Sequence, residues 1–145
     1  MAYKIVSKYI KDLSFQIPGA KSYILLEKNI KNYRVKVDVT SKKLRENIME
    51  IDTNLYFKPK DEDKDKDKDN FKISILLSSL INYEKKINGK ELEKIVLIEV
   101  PTAVYPDVKK IISLLFENSG FKEFNLPEMN FQKLYEAKKI KNSFF

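Results

Sequence analysis

Apolar and polar residues alternate along four segments of the N-terminal part of the chain, the pattern of half-buried β-strands. The first segment, residues 3–17, alternates loosely, with most of its apolar side chains on odd positions, and ends at the turn signal Pro18-Gly19. The other three segments are residues 33–40, 47–57 and 71–83. We interpret the four segments as strands of one antiparallel sheet.

An apolar patch at residues 23–26 interrupts the polar connector that follows the first segment. The patch is too short for its period to be measured, so it predicts either a short strand or a packed loop.

After Gly89 the spacing of apolar residues changes from two to three or four, which is typical of an amphipathic helix. An apolar run at residues 95–100 ends at Pro101, and Pro106 predicts the first turn of a long helix, where its missing N–H would be unpaired anyway. The sequence Asn-Ser-Gly at residues 118–120 predicts the end of this helix.

A second helix is predicted after Asn130, whose side chain suits the N-cap, and it continues through Leu134, Tyr135 and Ala137. Residues 141–145 are predicted to form a disordered tail. The sequence therefore predicts one domain, residues 1–145, of the α+β class: a four-stranded antiparallel sheet followed by two C-terminal helices.

Residues 60–70 form a segment in which acidic and basic side chains alternate without an apolar residue. A charged hairpin tip is the simplest interpretation. Calcium binding is the alternative, since carboxylates stand at alternate positions, but the interleaved lysines repel a cation and the segment has neither a turn glycine nor a closing glutamate.

The composition excludes several kinds of chemistry. The chain has no cysteine and no histidine, so it has no thiolate nucleophile, no imidazole base and no ordinary zinc site. Its three glycines are too few for a phosphate-binding loop. The pair Lys109 and Ser113, one helical turn apart, is expected on any solvated helix. We therefore predict a protein that is not an enzyme and that needs no cofactor or metal.

The formal net charge of +7 makes nucleic-acid binding an alternative to consider. Only Arg34 and Arg45 among the 28 basic residues are arginine, which makes the bidentate contacts to phosphate and guanine. The N-terminal residues contain no apolar block of signal-peptide length, and the apolar run at residues 95–98 is too short to span a bilayer. The sequence predicts a soluble cytoplasmic protein without membrane insertion.

Three motifs, in order along the chain, resemble the SecB family of protein-export chaperones. Residues 9–18 read Tyr-Ile-Lys-Asp-Leu-Ser-Phe-Gln-Ile-Pro and resemble the family's first strand. Residues 101–109 read Pro-Thr-Ala-Val-Tyr-Pro-Asp-Val-Lys, as at the start of the family's long helix. Residues 120–135 resemble the family's pattern of Phe, Leu, Pro, Asn-Phe and Leu-Tyr.

The resemblance implies a homotetramer, a dimer of dimers, that holds unfolded preproteins in apolar grooves without ATP. Such grooves capture extended segments with little sequence preference. Carried onto this sequence, six residues are predicted either to line the client-binding groove or to belong to the core: Val104, Tyr105, Phe121, Phe124, Leu126 and Met129.

Along the long helix, five apolar residues are predicted to lie in the core or at the interface between subunits: Val108, Ile111, Ile112, Leu115 and Phe116. On the strands, Tyr3, Ile5, Phe15 and Phe71 are predicted to belong to the sheet core.

Family members deliver clients to the translocase motor SecA, whose basic C-terminal tail docks on acidic residues of the exposed sheet face. The matching positions here are Asp12, Gln16, Lys72 and Ser74, so only Asp12 keeps a carboxylate. A lysine that faces a basic tail opposes its docking. Three alternatives follow: SecA binding through a changed surface, a divergent SecB-like chaperone not coupled to SecA, such as one that guards an antitoxin, or a basic nucleic-acid-binding module.

Overall fold

The computed structural model describes residues 2–29, 33–59, 71–121, 124, 126–137 and 141–143. Five strands and four α-helices follow in chain order: β1 (Tyr3–Gln16), α1 (Ala20–Asn29), β2 (Tyr33–Arg45), β3 (Ile48–Pro59), β4 (Lys72–Tyr83), α2 (Gly89–Lys94), α3 (Val100–Asn118), α4 (Phe131–Glu136) and β5 (Lys141–Ser143). A π-helical turn, Ile95–Glu99, joins α2 to α3. The predicted α+β class is confirmed.

The strands form one sheet in the order β1-β4-β3-β2-β5, and the first four are antiparallel. A tight turn at Glu46 and Asn47 joins β2 to β3, and Asn47 adopts φ = 66°, the left-handed conformation that asparagine tolerates. The predicted charged hairpin tip at residues 60–70 lies outside the described residues.

The two faces of the sheet differ in polarity, as the alternation in β2, β3 and β4 predicts. The face that packs against the helices, here called the inner face, is apolar and carries Val39, Ile51, Leu55, Ile73 and Ile75, all buried. The opposite face, here called the outer face, is mainly polar, although it also carries Leu76 and Leu80 of β4. Since side chains alternate between faces, this polarity fixes the register of the strands.

β1 departs from the predicted alternation at two bulges, between Ile5 and Ser7 and between Ile10 and Asp12. A bulge places two consecutive side chains on one face, so odd positions do not stay together. Tyr9 consequently lies on the outer face, opposite Ser78.

The patch at residues 23–26, predicted as a strand or loop, is instead part of helix α1. Ser22 and Leu26, one helical turn apart, are buried, and Tyr23 packs against the core, whereas Ile24 and Leu25 are exposed. The burial therefore follows a helical period, which four consecutive apolar residues cannot reveal.

The long helix begins at Gly89 and not at Pro106 as predicted. Asn88 caps it, accepting a hydrogen bond from the backbone N–H of Glu91 at 2.8 Å. The π turn precedes Pro101, and both Pro101 and Pro106 lie within the helical run. Burial of apolar side chains along the whole helix outweighs the roughly 3 kcal/mol that an internal proline costs.

The predicted disordered tail also differs in part from the structure. Lys141–Ser143 form β5, which pairs in parallel with Asp38, Val39 and Thr40 of β2. An edge strand offers unpaired backbone groups, and β5 satisfies those of this part of β2. Residues 144 and 145 lie outside the described part of the chain.

Candidate functional site

The segment between α3 and α4, residues 120–130 and here called the connector, leaves the long helix in a fixed direction. Gly120 has φ = 88°, and the backbone N–H of Phe121 donates to the carbonyl of Phe116 at 3.2 Å, as in a Schellman helix end. The hydroxyl of Tyr23 donates to the carbonyl of Gly120 at 2.9 Å. A Cβ at Gly120 would lie 2.9 Å from that hydroxyl. Both the positive φ and this close approach therefore require glycine at position 120.

Two further contacts hold the connector to α3. The hydroxyl of buried Tyr105 donates to the carbonyl of Pro127 at 2.6 Å, and Lys109 forms an ion pair with Glu128 at 3.0 Å. Burial, and secondly the charge of Glu128, raises the pKa of Tyr105 to about 12. Asn130 then begins α4, accepting from the backbone N–H of Lys133 at 3.0 Å, which confirms the predicted cap.

Five aromatic rings meet where the connector crosses the inner face. Phe116 is fully buried, and its ring stacks on Phe124 with centroids 3.8 Å apart. Phe121, Phe15 and Phe57 surround it at 5.0, 5.2 and 5.7 Å. Since Phe15, Phe57 and Phe124 are only partly buried, the cluster joins the core to the surface.

A groove of about 460 Å³ lies between β2 and α4 and is here called the β2–α4 groove. Its apolar walls are Val35, Val37, Met129, Leu134 and Ala137. The polar residues Lys36, Glu128, Asn130 and Lys133 also line it. The volume falls in the range of about 300–1,000 Å³ that is usual for ligand sites. Because the hydrophobic effect has no preferred direction, the apolar walls of the groove can accept apolar side chains of varied shape.

The structure separates the six residues predicted for a client-binding groove. Val104, Tyr105, Phe121 and Leu126 are 0–6% exposed and belong to the core of the chain. Phe124 is half-buried in the aromatic cluster. Met129 lines the β2–α4 groove, and it is the one member of the six that does. A client could reach the four buried residues only if the connector moved.

Sequence reasoning missed most of the groove. The alternation at residues 33–40 predicts the strand that carries Val35 and Val37, and the cap at Asn130 predicts the helix that carries Leu134 and Ala137. Neither pattern predicts that these residues form the walls of one site. These walls lie far apart in sequence, so their meeting depends on how α4 folds back over β2.

Three of the five residues predicted along the long helix face the sheet. Val108, Ile112 and Phe116 are fully buried within the chain, whereas Ile111 and Leu115 are partly buried. A second copy could therefore contact this helix only on its other face, where Leu114 is exposed. Of the predicted sheet core, Tyr3, Ile5, Phe15 and Phe71 all pack against the core.

The outer face carries a polar network centred on Lys11, the residue at the second bulge of β1. The amine of Lys11 lies 3.0 Å from carboxylate oxygens of both Glu50 and Asp52. Tyr9 donates to Glu50 at 2.6 Å, and Ser78 donates to Asp52. The hydrogen bonds from Tyr9 and then Lys11 lower the pKa of Glu50, so this carboxylate is held charged and partnered.

The four residues predicted for the SecA-facing surface share the outer face. Gln16 pairs with Lys72, and Ser14 pairs with Ser74. Asp12 lies two residues before Ser14 on β1 and pairs with Leu76. Asp12, Gln16 and Lys72 are exposed, and Ser74 is half-buried. The structure thus brings the four side chains together on adjacent strands.

β1 is the edge strand of the sheet and exposes four large apolar side chains: Val6, Tyr9, Ile10 and Leu13. Neighbouring exposed apolar residues on an edge strand are typical of an interface.

The described part of the chain contains neither a helix suited to crossing a membrane nor a cluster of potential metal ligands. No described helix is long and apolar enough to cross a membrane. Within the same residues no three potential metal ligands of the His, Cys, Asp and Glu types come together.

Comparison with known proteins gives one consistent family. A family model described as "Preprotein translocase subunit SecB" matches residues 1–142. A SecB-type protein-export protein of Pelagibacter ubique is 32% identical over 138 residues, covering 94% of this chain and 96% of that protein. The protein-export protein SecB of Burkholderia vietnamiensis is 29% identical over 138 residues, covering 94% of this chain and 82% of that protein.

A solved structure shares the fold. It is a SecB-like chaperone of Mycobacterium tuberculosis in complex with a peptide from an antitoxin, and it superposes with a TM-score of 0.64 over 89% of this chain and 88% of that one. The two sequences are 10% identical, so the likeness concerns the fold alone.

Proposed function

The chain belongs to the SecB family, and from this premise we propose that it is a cytoplasmic, ATP-independent chaperone that holds unfolded preproteins and serves protein export. The observation that carries the proposal is the β2–α4 groove, an apolar trough on the surface of the chain. It is lined by side chains of a strand, the connector and a helix, and its walls are mainly apolar. Binding and release are therefore its proposed chemistry, with no reaction.

The groove supports the capture of extended chains in particular. An extended segment presents alternate side chains to one side, and those that are apolar can leave water for the walls formed by Val35, Met129 and Leu134. Met129 adapts to different shapes because its side chain is unbranched and flexible. Such a site selects for exposed apolar sequence, which distinguishes unfolded from folded proteins.

Assembly into a homotetramer is part of the proposal, as the family implies. The exposed apolar side chains of β1 and Leu114 on α3 support association with other copies. Several grooves acting on one client raise the overall affinity without any new contact.

The holding activity predicts that purified protein, at several-fold molar excess and without nucleotide, suppresses aggregation of a denatured client on dilution. Light scattering at 360 nm or a similar wavelength would measure this, with an unrelated protein at equal concentration as control. Scattering that matches this control would refute the holding proposal.

Delivery to SecA is the finer part of the proposal, and we propose that it does not use the basic tail on the four outer-face positions. Lys72 is exposed there, and the nearby carboxylates Glu50 and Asp52 are already paired with Lys11. A basic tail would meet repulsion and few free acceptors.

A pull-down with intact SecA and with SecA lacking its C-terminal tail tests this point. We expect the intact motor to be retained no better than the tailless one, at low and at moderate salt. Markedly better retention of the intact motor would show that the tail docks on this chain after all.

A further inference from the structure

Three cationic side chains lie in one row across the outer face, at the end of the sheet where β1 ends. Arg34 of β2 pairs with Lys58 of β3, and Gln16 of β1 pairs with Lys72 of β4. Tyr56 pairs with Ser74, so continuing the antiparallel register by two residues sets Lys58 beside Lys72. We call this set the basic row: Lys72, Lys58 and Arg34. Neighbouring strands lie about 4.8 Å apart, so the row spans about 10 Å from β4 to β2.

Hydroxyl groups occupy the neighbouring row of the outer face. Ser14, Ser74 and Tyr56 lie on adjacent strands in register, and the exposed Lys36 of β2 pairs with Tyr56 at the end of the same row. The amine of Lys58 lies 5.8 Å from the centre of the Tyr56 ring, a cation–π contact that steadies this lysine over the face. Burial, and then the charge of Asp38, raises the pKa of Tyr56, so its hydroxyl stays protonated as a donor.

Among the described residues, the two lysines of the basic row, Lys58 and Lys72, are not paired with an acid of the same face. Both lysines are exposed. Glu50 and Asp52 are bound by Lys11 farther along the sheet. Like charges directly opposite each other on neighbouring strands are unfavourable, and a bound anion would relieve that cost.

We propose that the basic row is a docking surface for an acidic peptide segment of a partner protein. Carboxylates of the peptide would pair with Lys58 and Lys72, and the hydroxyls of Ser14 and Ser74 would supply further hydrogen bonds. The short span fits a few carboxylates. A nucleic acid favours a longer basic stripe, more arginine and exposed rings for stacking. Among the described residues the row contains one arginine, Arg34, and the ring beside it, Tyr56, is half-buried and lies against Lys58.

This surface is separate from the β2–α4 groove, because it lies on the outer face near the start of β4. Docking of an acidic partner and holding of a client can therefore occur on the same copy. A face that binds acidic segments repels basic ones, so the basic tail of SecA would be rejected there.

Fluorescence anisotropy with a labelled eight-residue peptide of alternating glutamate and serine tests the proposal on the full chain. At a moderate ionic strength of about 0.1 M, Lys58→Glu with Lys72→Glu is expected to weaken binding by about tenfold or more. Lys86→Glu with Lys90→Glu removes the same charge at exposed positions away from the row, and it is expected to change binding less than about twofold.

Equal losses in the two variants would mean attraction to the net charge and would overturn the site. Tighter binding of a twelve-nucleotide single strand than of the peptide, lost in the same row variant, would overturn it in favour of a nucleic acid. Residues 60–70 carry six acidic residues of their own. Peptide binding that appears only after these are changed to amides would mean that this segment is the occupant, which also overturns an external partner.

Unchanged client holding by the row variant shows that the chain still folds, so loss of peptide binding would support the proposal. This readout also separates the two functions. If the wild type does not bind the peptide but still holds clients, only the docking surface is rejected. If the wild type does not hold clients, only the chaperone proposal is rejected.

Discussion

Replacing Phe116 with alanine is expected to lower the free energy of unfolding by about 3–5 kcal/mol. The ring is fully buried, and the structure brings four other rings around it: Phe124 at 3.8 Å, Phe121 at 5.0 Å, Phe15 at 5.2 Å and Phe57 at 5.7 Å. Alanine would leave a cavity among rings that belong to β1, β3 and the connector, and these three elements cannot all move inward to fill it.

Urea unfolding followed by circular dichroism measures this loss, with wild type and variant at the same concentration because association contributes to stability. Leu44→Ala on β2 is the control, since Leu44 is 47% exposed and its truncation is expected to cost less than about 1 kcal/mol. Similar shifts in the two variants would contradict the central role of the Phe116 cluster.

The strands could be predicted because each of β2, β3 and β4 separates apolar from polar side chains by face. Val35 and Val37 alternate with charged residues, and Ile73 and Ile75 do the same with Lys72 and Ser74. A shift of one residue would expose every apolar side chain, so the pattern determines the register as well as the element. The family resemblance, drawn from three motifs, is confirmed by the match over residues 1–142.

The helices were predicted less well, for reasons that are not local. Pro101 and Pro106 are ordinary signals for a helix start, yet the helix passes through both because a π turn precedes the first and the apolar side is buried from Leu92 to Phe116. α1 was missed because its apolar residues are contiguous. In both cases packing against the sheet determines where the helix forms, and the local sequence pattern does not contain that information.

The candidate site could be predicted only in fragments. The family resemblance predicts Met129 as a groove residue, and Met129 lines the β2–α4 groove. The same resemblance also predicts Tyr105 and Leu126, which are buried in the core. An aromatic or aliphatic residue next to a helix end reads the same in sequence whether it fills the core or lines a groove. The opposite wall, Val35 and Val37, is joined to Met129 only by the tertiary fold.

Changing Met129 and Leu134 together to glutamate is expected to weaken binding of an unfolded client by about ten- to a hundredfold. Both residues line the groove and both are partly exposed, so water can solvate the new carboxylates in the free protein. A client side chain entering the groove would strip that water away, and a carboxylate without a partner opposes this strongly. Binding should therefore suffer far more than folding.

Anisotropy of a labelled client fragment that cannot fold measures the affinity, and unfolding by urea checks the fold of the variant. The matched control is Ile24→Glu with Leu25→Glu, because these residues form an apolar pair on α1 that is 49% and 39% exposed and lies outside the groove. It introduces the same charge by the same kind of substitution. If the control loses as much affinity as the groove variant, clients respond to negative charge in general. If neither variant loses affinity, clients bind elsewhere, and the four buried residues Val104, Tyr105, Phe121 and Leu126 become the next place to test, since a client could reach them only if the connector moved.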